Sequence, residues 1–138
     1  MIHDRTFGEL TVAELYALLR LRCEVFVVEQ ACAYLDLDGR DTEPGTRHVW
    51  IGAPAEAYLR VLDDGEARRI GRVVTHPSAR SGGRAAALVE HVLTTVAAPW
   101  TLDAQSHLTG WYARFGFEVS GAEYLEDGIA HTPMRRDG

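Results

Sequence analysis

The sequence predicts an α+β fold, mixed α/β in character, and three observations carry that expectation. A capped amphipathic segment comes early in the chain, and β-branched runs with hairpin signals fill the middle. One of those runs then leads through a Gly-Gly loop into an alanine-rich helix. A short strand is expected near Phe7. TVAELYALLRLRCEVFVVEQ then reads as a helix, because Thr11 and Glu14 form a capping box. Leu15, Leu18, Leu19, Arg22, Cys23 and Phe26 give it one largely apolar face. ACAYLDLDGRDTEPGT is an acidic loop punctuated by Gly39, Pro44 and Gly45. RHVWIG and AYLRVLD are strands joined by a turn at 52–54, and DDGE is the hairpin signal before ARRIGRVVT. A helix over 83–97 buries Leu88, Val89, Val92, Leu93 and Val96, and Pro99 forbids its continuation. WTLDAQ is a further strand, and HLTGWYARFG a short helix with Gly116 at its C-terminal cap. FEVSGAEYLEDGIAHTPMRR closes the chain as strands around a turn at Asp127 and Gly128. No repeat or linker interrupts this order, so residues 1–138 read as one domain.

Composition excludes several classes of function. With 138 residues, 46% hydrophobic and 25% charged, the chain has the balance of a soluble globule. No apolar run approaches the ~18 residues of a membrane span. MIHDRTFGEL lacks a basic segment followed by an apolar block, so a cytoplasmic protein without membrane contact is expected. The net charge of −6 argues against nucleic-acid binding. All 14 positive residues are arginine. Without lysine there is no Walker loop, no Schiff base and no lysine general base. Cys23 and Cys32 are expected to be free and packed, and the missing CxxC spacing leaves no structural zinc. DLDGRD has three aspartates but not the glycine and glutamate positions of a calcium loop, so no metal is expected. Asp36, Asp38 and Asp41 read either as an acidic lip that draws in a cationic amine or as a solvated loop with Asx-turns.

The segment HPSARSGGRAAALVEHVL contains the chemistry. A helix start offers free backbone N–H groups and a partial positive charge, which bind an anion without any lysine. Gly82 and Gly83 let that anion approach the backbone, Arg80 and Arg84 add charge-assisted hydrogen bonds, and Ala85 and Ala86 keep the first turn unobstructed. A pyrophosphate fits these requirements.

In spacing, the segment resembles the central motif of the GNAT superfamily of acyl-CoA-dependent N-acyltransferases. Pro77, Arg80, Gly83 and Ala85 fall on motif positions, whereas Thr75, His76 and Ser81 replace the usual valine, aspartate and glycine. WYARFGF resembles a second element of that family through Tyr112, Gly116 and Phe117, with Gln105 at a position usually held by asparagine. LRCEVFVVEQ, LDLDGRDTEPGTRHV and EDGIAHTPMRR are similar to its ElaA-like branch, so the resemblance spans nearly the whole chain.

The resemblance implies a central, mostly antiparallel twisted sheet, splayed at the cofactor site and flanked by helices. It implies acetyl-CoA as cosubstrate and a primary amine as acceptor, joined through a direct tetrahedral intermediate. Val73, Val74 and Thr75 would pair with the pantetheine arm. Arg80, Ser81, Gly82, Gly83, Arg84 and Ala85 would hold the pyrophosphate, Gln105 would add a cofactor contact, and Tyr112 would be the general acid. An alkyl amine must lose a proton before it attacks, and Glu29 and His48 are the candidate bases. His76 belongs to the cofactor loop, while His107 reads as a cap, a cofactor contact or neither. His3, His91 and His131 carry no expectation beyond surface or packing. The alternative is a non-catalytic acyl-CoA-binding or sensor module, and in either case a monomer or homodimer is expected.

Overall fold

A computed structural model describes all residues from Met1 to Gly138. One mostly antiparallel sheet organises the chain. Its strands are β1 (Ile2–Thr6), β2 (Arg47–Ile51), β3 (Ala57–Asp63), β4 (Arg68–Thr75), β5 (Trp100–Gln105), β6 (Glu118–Val119), β7 (Tyr124–Glu126) and β8 (Ile129–Arg136). They lie in the order β1-β2-β3-β4-β5-β8-β6, with β7 also paired to β8. The expected order of helices and strands holds, and WTLDAQ matches β5 residue for residue.

Strand alternation assigns each face its own helix. Trp50, Tyr58 and Val74 pack with Leu18, Leu21 and Val25 from the first helical segment. Val49, Leu59, Val61 and Ile70 face the other way, against Leu88, Val89 and Val92. The helix carrying that second set, α2 (Arg84–Thr95), is shorter at both ends than expected.

The first helix departs from expectation in a way that shapes the site. Regular α-helix α1 (Val12–Arg22) starts with the expected capping box, then gives way to a π-helix at Cys23–Glu29. Gln30 N–H bonds to Val25 C=O at 3.0 Å and Cys32 N–H to Val27 C=O at 3.1 Å, each five residues back. The wider turn rotates the later side chains off the α-helical stripe. Cys23, expected on the buried face, is exposed because the buried stripe runs Leu18, Leu21, Arg22 and Val25, whereas Cys32 is buried; both are free thiols.

β4 contains the second irregularity. Its register with β3 shifts between Tyr58 and Arg60, and Arg72 at that point has φ +52°. The extra residue swaps the faces of β4, so Ile70 and Val74 pack on opposite sides despite their even spacing. β4 and β5 are parallel and paired only over Arg68–Trp100, Arg69–Thr101 and Ile70–Leu102. Beyond these pairs β4 stays with β3 and β5 stays with β8. The sheet thus opens in a V between its two central strands.

Candidate active site

The helix start beyond the V has the geometry its sequence called for. Gly83 is the N-cap of α2 at φ +74°, no side chain caps the turn, and Ser81 is also left-handed at φ +69°. The first intrahelical bond runs from Ala87 N–H to Gly83 C=O, so earlier amides of the turn have no acceptor within the helix. His76 caps the short turn that follows, since its Nδ1 accepts from Ser78 N–H at 3.1 Å.

Val73, Val74, Thr75, Arg80, Ser81, Ala85, Gln105 and Tyr112 line one groove of about 580 Å³. Gly82, Gly83 and Arg84 form the loop tip and first turn outside that lining. His107 also lines the groove.

Both arginines of the loop are held by carboxylates. Arg80 forks onto Glu29 at 2.6 and 2.7 Å, and Arg84 meets Glu56 at 2.7 Å. The Arg80 hydrogen bonds hold the Glu29 carboxyl below its ordinary range. Glu29 therefore anchors a loop arginine, and it lines the groove but not the second cleft described below. His48, the other candidate base, is 1% exposed inside the sheet. Its Nε2 lies 3.0 Å from the Asp41 carbonyl, which only accepts, so Nε2 bears the proton and Nδ1 accepts from Tyr58 at 2.8 Å. Burial lowers this imidazole's pKa, and both nitrogens are already engaged. These positions suit structural links rather than a base open to substrate.

Asp36 and Asp41 of DLDGRD turn inward, while Asp38 stays exposed and lines the second cleft described below. Arg22, with 1% of its side chain exposed, bonds Asp36 at 2.8 Å and Asp41 at 2.7 Å. Arg60 bridges Asp41 and Asp38, and Arg72 pairs with Asp36 at 2.9 Å. An unpaired buried guanidinium would be very costly, so this ladder fixes the loop before β2 against the sheet. Arg72 enters the ladder from the bulge of β4, which links the loop to the V.

A second cleft of about 640 Å³ opens on the other side of the V. Phe26, Gln30, Val73, Gln105, Leu108 and Tyr112 line both clefts and mark where they meet. Tyr112 sits in α3 (Thr109–Ala113), which is shorter than the expected helix, and Gly116 ends that turn at φ +87°. The phenol is 6% exposed, and burial alone pushes its pKa above the ordinary tyrosine value. Across the cleft stand Asp103, Tyr124 and His131. The last of these was expected to have no role beyond surface or packing. Its placement comes from the pairing of β8 with β5, which alternation within one segment does not reveal.

The family described as an acetyltransferase (GNAT) domain matches residues 45–137. The chain belongs to the GNAT family. Protein ElaA of Escherichia coli is 42% identical to this GNAT protein, over 97% of this chain and 94% of its own. The crystal structure of that protein aligns with a TM-score of 0.90 over 99% of both chains. A crystal structure described as an acyl-CoA N-acyltransferase from Pseudomonas aeruginosa aligns at 0.92 with 41% identity, again over 99% of both. A UPF0039 protein of Mycobacterium tuberculosis is 46% identical over 94% of this chain and 88% of its own. This GNAT protein is ElaA-like, and its open, mostly antiparallel sheet flanked by helices is the fold of those acyltransferases.

Proposed function

We propose that residues 1–138 act as one acetyltransferase unit, moving the acetyl group of acetyl-CoA to a primary amine by direct attack. The observation that carries this reading is the junction at Tyr112: a groove ending on free helix amides meets a second cleft where two strands part. In this reading the edge of Val73, Val74 and Thr75 left free by the V pairs with the pantetheine amides. An oriented N–H there stabilises the oxyanion of the tetrahedral intermediate. The pyrophosphate sits on Arg80, Ser81, Gly82, Gly83, Arg84 and Ala85, and Gln105 supplies a polar contact beside the thioester. Tyr112 donates its proton to the departing thiolate. Its place supports that role, because Tyr112 lines both the groove and the second cleft.

Glu29 and His48 are outside this reading of the chemistry, for the contacts given above. No helix is long and apolar enough to cross a membrane; we assign the activity to the cytoplasm and to a monomer or homodimer. No group of three or more His, Cys, Asp or Glu side chains is placed to hold a metal ion. Thiol release from acetyl-CoA across a panel of primary amines tests the reading directly. Transfer to at least one amine is expected, and coenzyme A binding without any transfer favours the sensor-module alternative.

A further inference from the structure

Resting on that acyl-transfer reading, we propose that His131 is the general base that takes the proton from the acceptor amine. β5 pairs with β8 up to its last residue, where Gln105 stands opposite His131, and β7 pairs on the far side through Tyr124 and His131. Side chains paired across strands share a face, so Gln105, His131 and Tyr124 stand abreast. Gln105 lines both clefts, and its neighbour His131 lines the acceptor side of their junction.

The imidazole is also held in the useful tautomer. Its Nδ1 lies 2.9 Å from the Ile129 carbonyl oxygen, which only accepts, so Nδ1 carries the hydrogen. In the neutral ring the lone pair is then on Nε2, which has no protein partner. The ring stacks on Tyr124 at 5.7 Å between centroids and 21° between planes. No other histidine meets these conditions. His48 is sealed in the core, His91 Nε2 is bonded to Asp4, His3 stacks on Trp50, and His76 caps its own loop. His107 lines only the cofactor groove.

Titratable and charged groups that line the cleft with His131 come from four elements. From β5, Asp103 is paired with Arg69. From β7 and its turn come Glu126 and Asp127, which form no ion pair, and Tyr124, whose phenol is pushed up to about 12 mainly by burial and then by Asp103. Tyr112 approaches from α3, and Arg72 from β4 is paired with Asp36.

The balanced step begins as the ammonium gives one proton to His131 Nε2. The freed lone pair attacks the thioester carbon, the C–N bond forms, and the carbonyl electron pair moves to oxygen. Collapse restores the carbonyl and breaks the C–S bond, and the thiolate takes the Tyr112 proton. The phenolate recovers a proton from the cationic amide nitrogen, and the imidazolium releases its own to water. One ammonium and one acyl-CoA thus give one amide, one thiol and one proton.

The test compares two probe amines at neutral pH with acetyl-CoA. n-Propylamine is almost wholly protonated there, whereas 2,2,2-trifluoroethylamine is almost wholly free base and needs no base to start. The His131→Asn variant keeps a side-chain N–H near the Ile129 carbonyl but removes Nε2. Transfer to n-propylamine should fall roughly 100-fold or more, and transfer to trifluoroethylamine less than about tenfold, with coenzyme A affinity unchanged. Equal losses for the two amines, or no loss, would overturn the assignment of His131 while leaving acyl transfer intact. Wild-type protein that binds coenzyme A yet transfers to no amine of the wider panel overturns acyl transfer and this base together. If His131→Asn fails to fold, carbethoxylation of wild-type protein decides. Loss of n-propylamine transfer must follow modification at His131, and a loss that follows His107 or any other histidine refutes the proposal.

Discussion

The groove beside α2 and the cleft beside β8 meet at Tyr112 but are built from different materials. The groove is mostly backbone: a strand edge left free where β4 leaves β5, then unpaired amides at the start of α2. The cleft is made of side chains, with Asp38, Arg60 and Arg72 on its wall, tied to Arg22, Asp36 and Asp41 behind it, and a histidine held against Tyr124. A backbone site needs only small residues in the right order, so substitutions such as Thr75, His76 and Ser81 leave its geometry intact. A side-chain site depends on which distant residues the fold brings together. The two cavities can therefore vary independently in sequence.

Breaking the joint between the two regions should have the largest effect. Tyr112→Phe should lower kcat by roughly 10²–10⁴ while coenzyme A binds as in the wild type, measured by thiol release beside calorimetry. Equal kcat in the two proteins rules out the phenol as the acid. Next comes the ladder behind the cleft. Arg22→Ala takes from Asp36 and Asp41 the buried guanidinium they share, leaving them only Arg72 and Arg60, and should cost about 3–5 kcal/mol in urea unfolding. A loss below about 1 kcal/mol would show that the ladder is not what fixes the loop.

The same ladder sharpens the comparison through pH. Burial lowers His48, so the unfolded chain, with an imidazole near ~6.5, binds the proton first. Its contribution to stability is complete above that pH and declines as pH falls toward the folded value. At Asp38 the hydrogen bond from Arg60 holds the carboxyl far below its usual range. At Asp41 burial raises the carboxyl, but the Arg22 hydrogen bond and charge more than offset it. Their contribution is present above the unfolded carboxyl value near ~3.9 and is lost as pH falls below it. The urea midpoint should therefore fall in two stages on acidification, and His48→Gln should remove only the first. The smallest change is expected on the backbone side. Gly83→Ala meets no neighbour within 4 Å but forces a side chain to φ +74°, so it should cost about 1–2 kcal/mol and weaken coenzyme A binding modestly.

The groove was legible in the sequence because its signals are local. The branched run, the Gly-Gly pair, the alanine-rich turn and Gly116 each act within a few residues of themselves. The cleft was not legible, because its determinants lie far apart in the chain. Arg22 reads as one more position on an amphipathic face, yet it is the centre of a ladder reaching 19 residues ahead to Asp41. The change to π-helix at Cys23 and the bulge at Arg72 leave no pattern in composition, yet the bulge decides that Val74 faces α1. His131 in GIAHTPM is unremarkable until β8 is paired with β5 and β7.

Titration of coenzyme A into the purified protein by calorimetry tests the central claim most directly. The account requires saturable one-to-one binding that weakens when Ala85, in the first turn of α2, is replaced by aspartate. A chain that folds normally but gives no binding isotherm contradicts it.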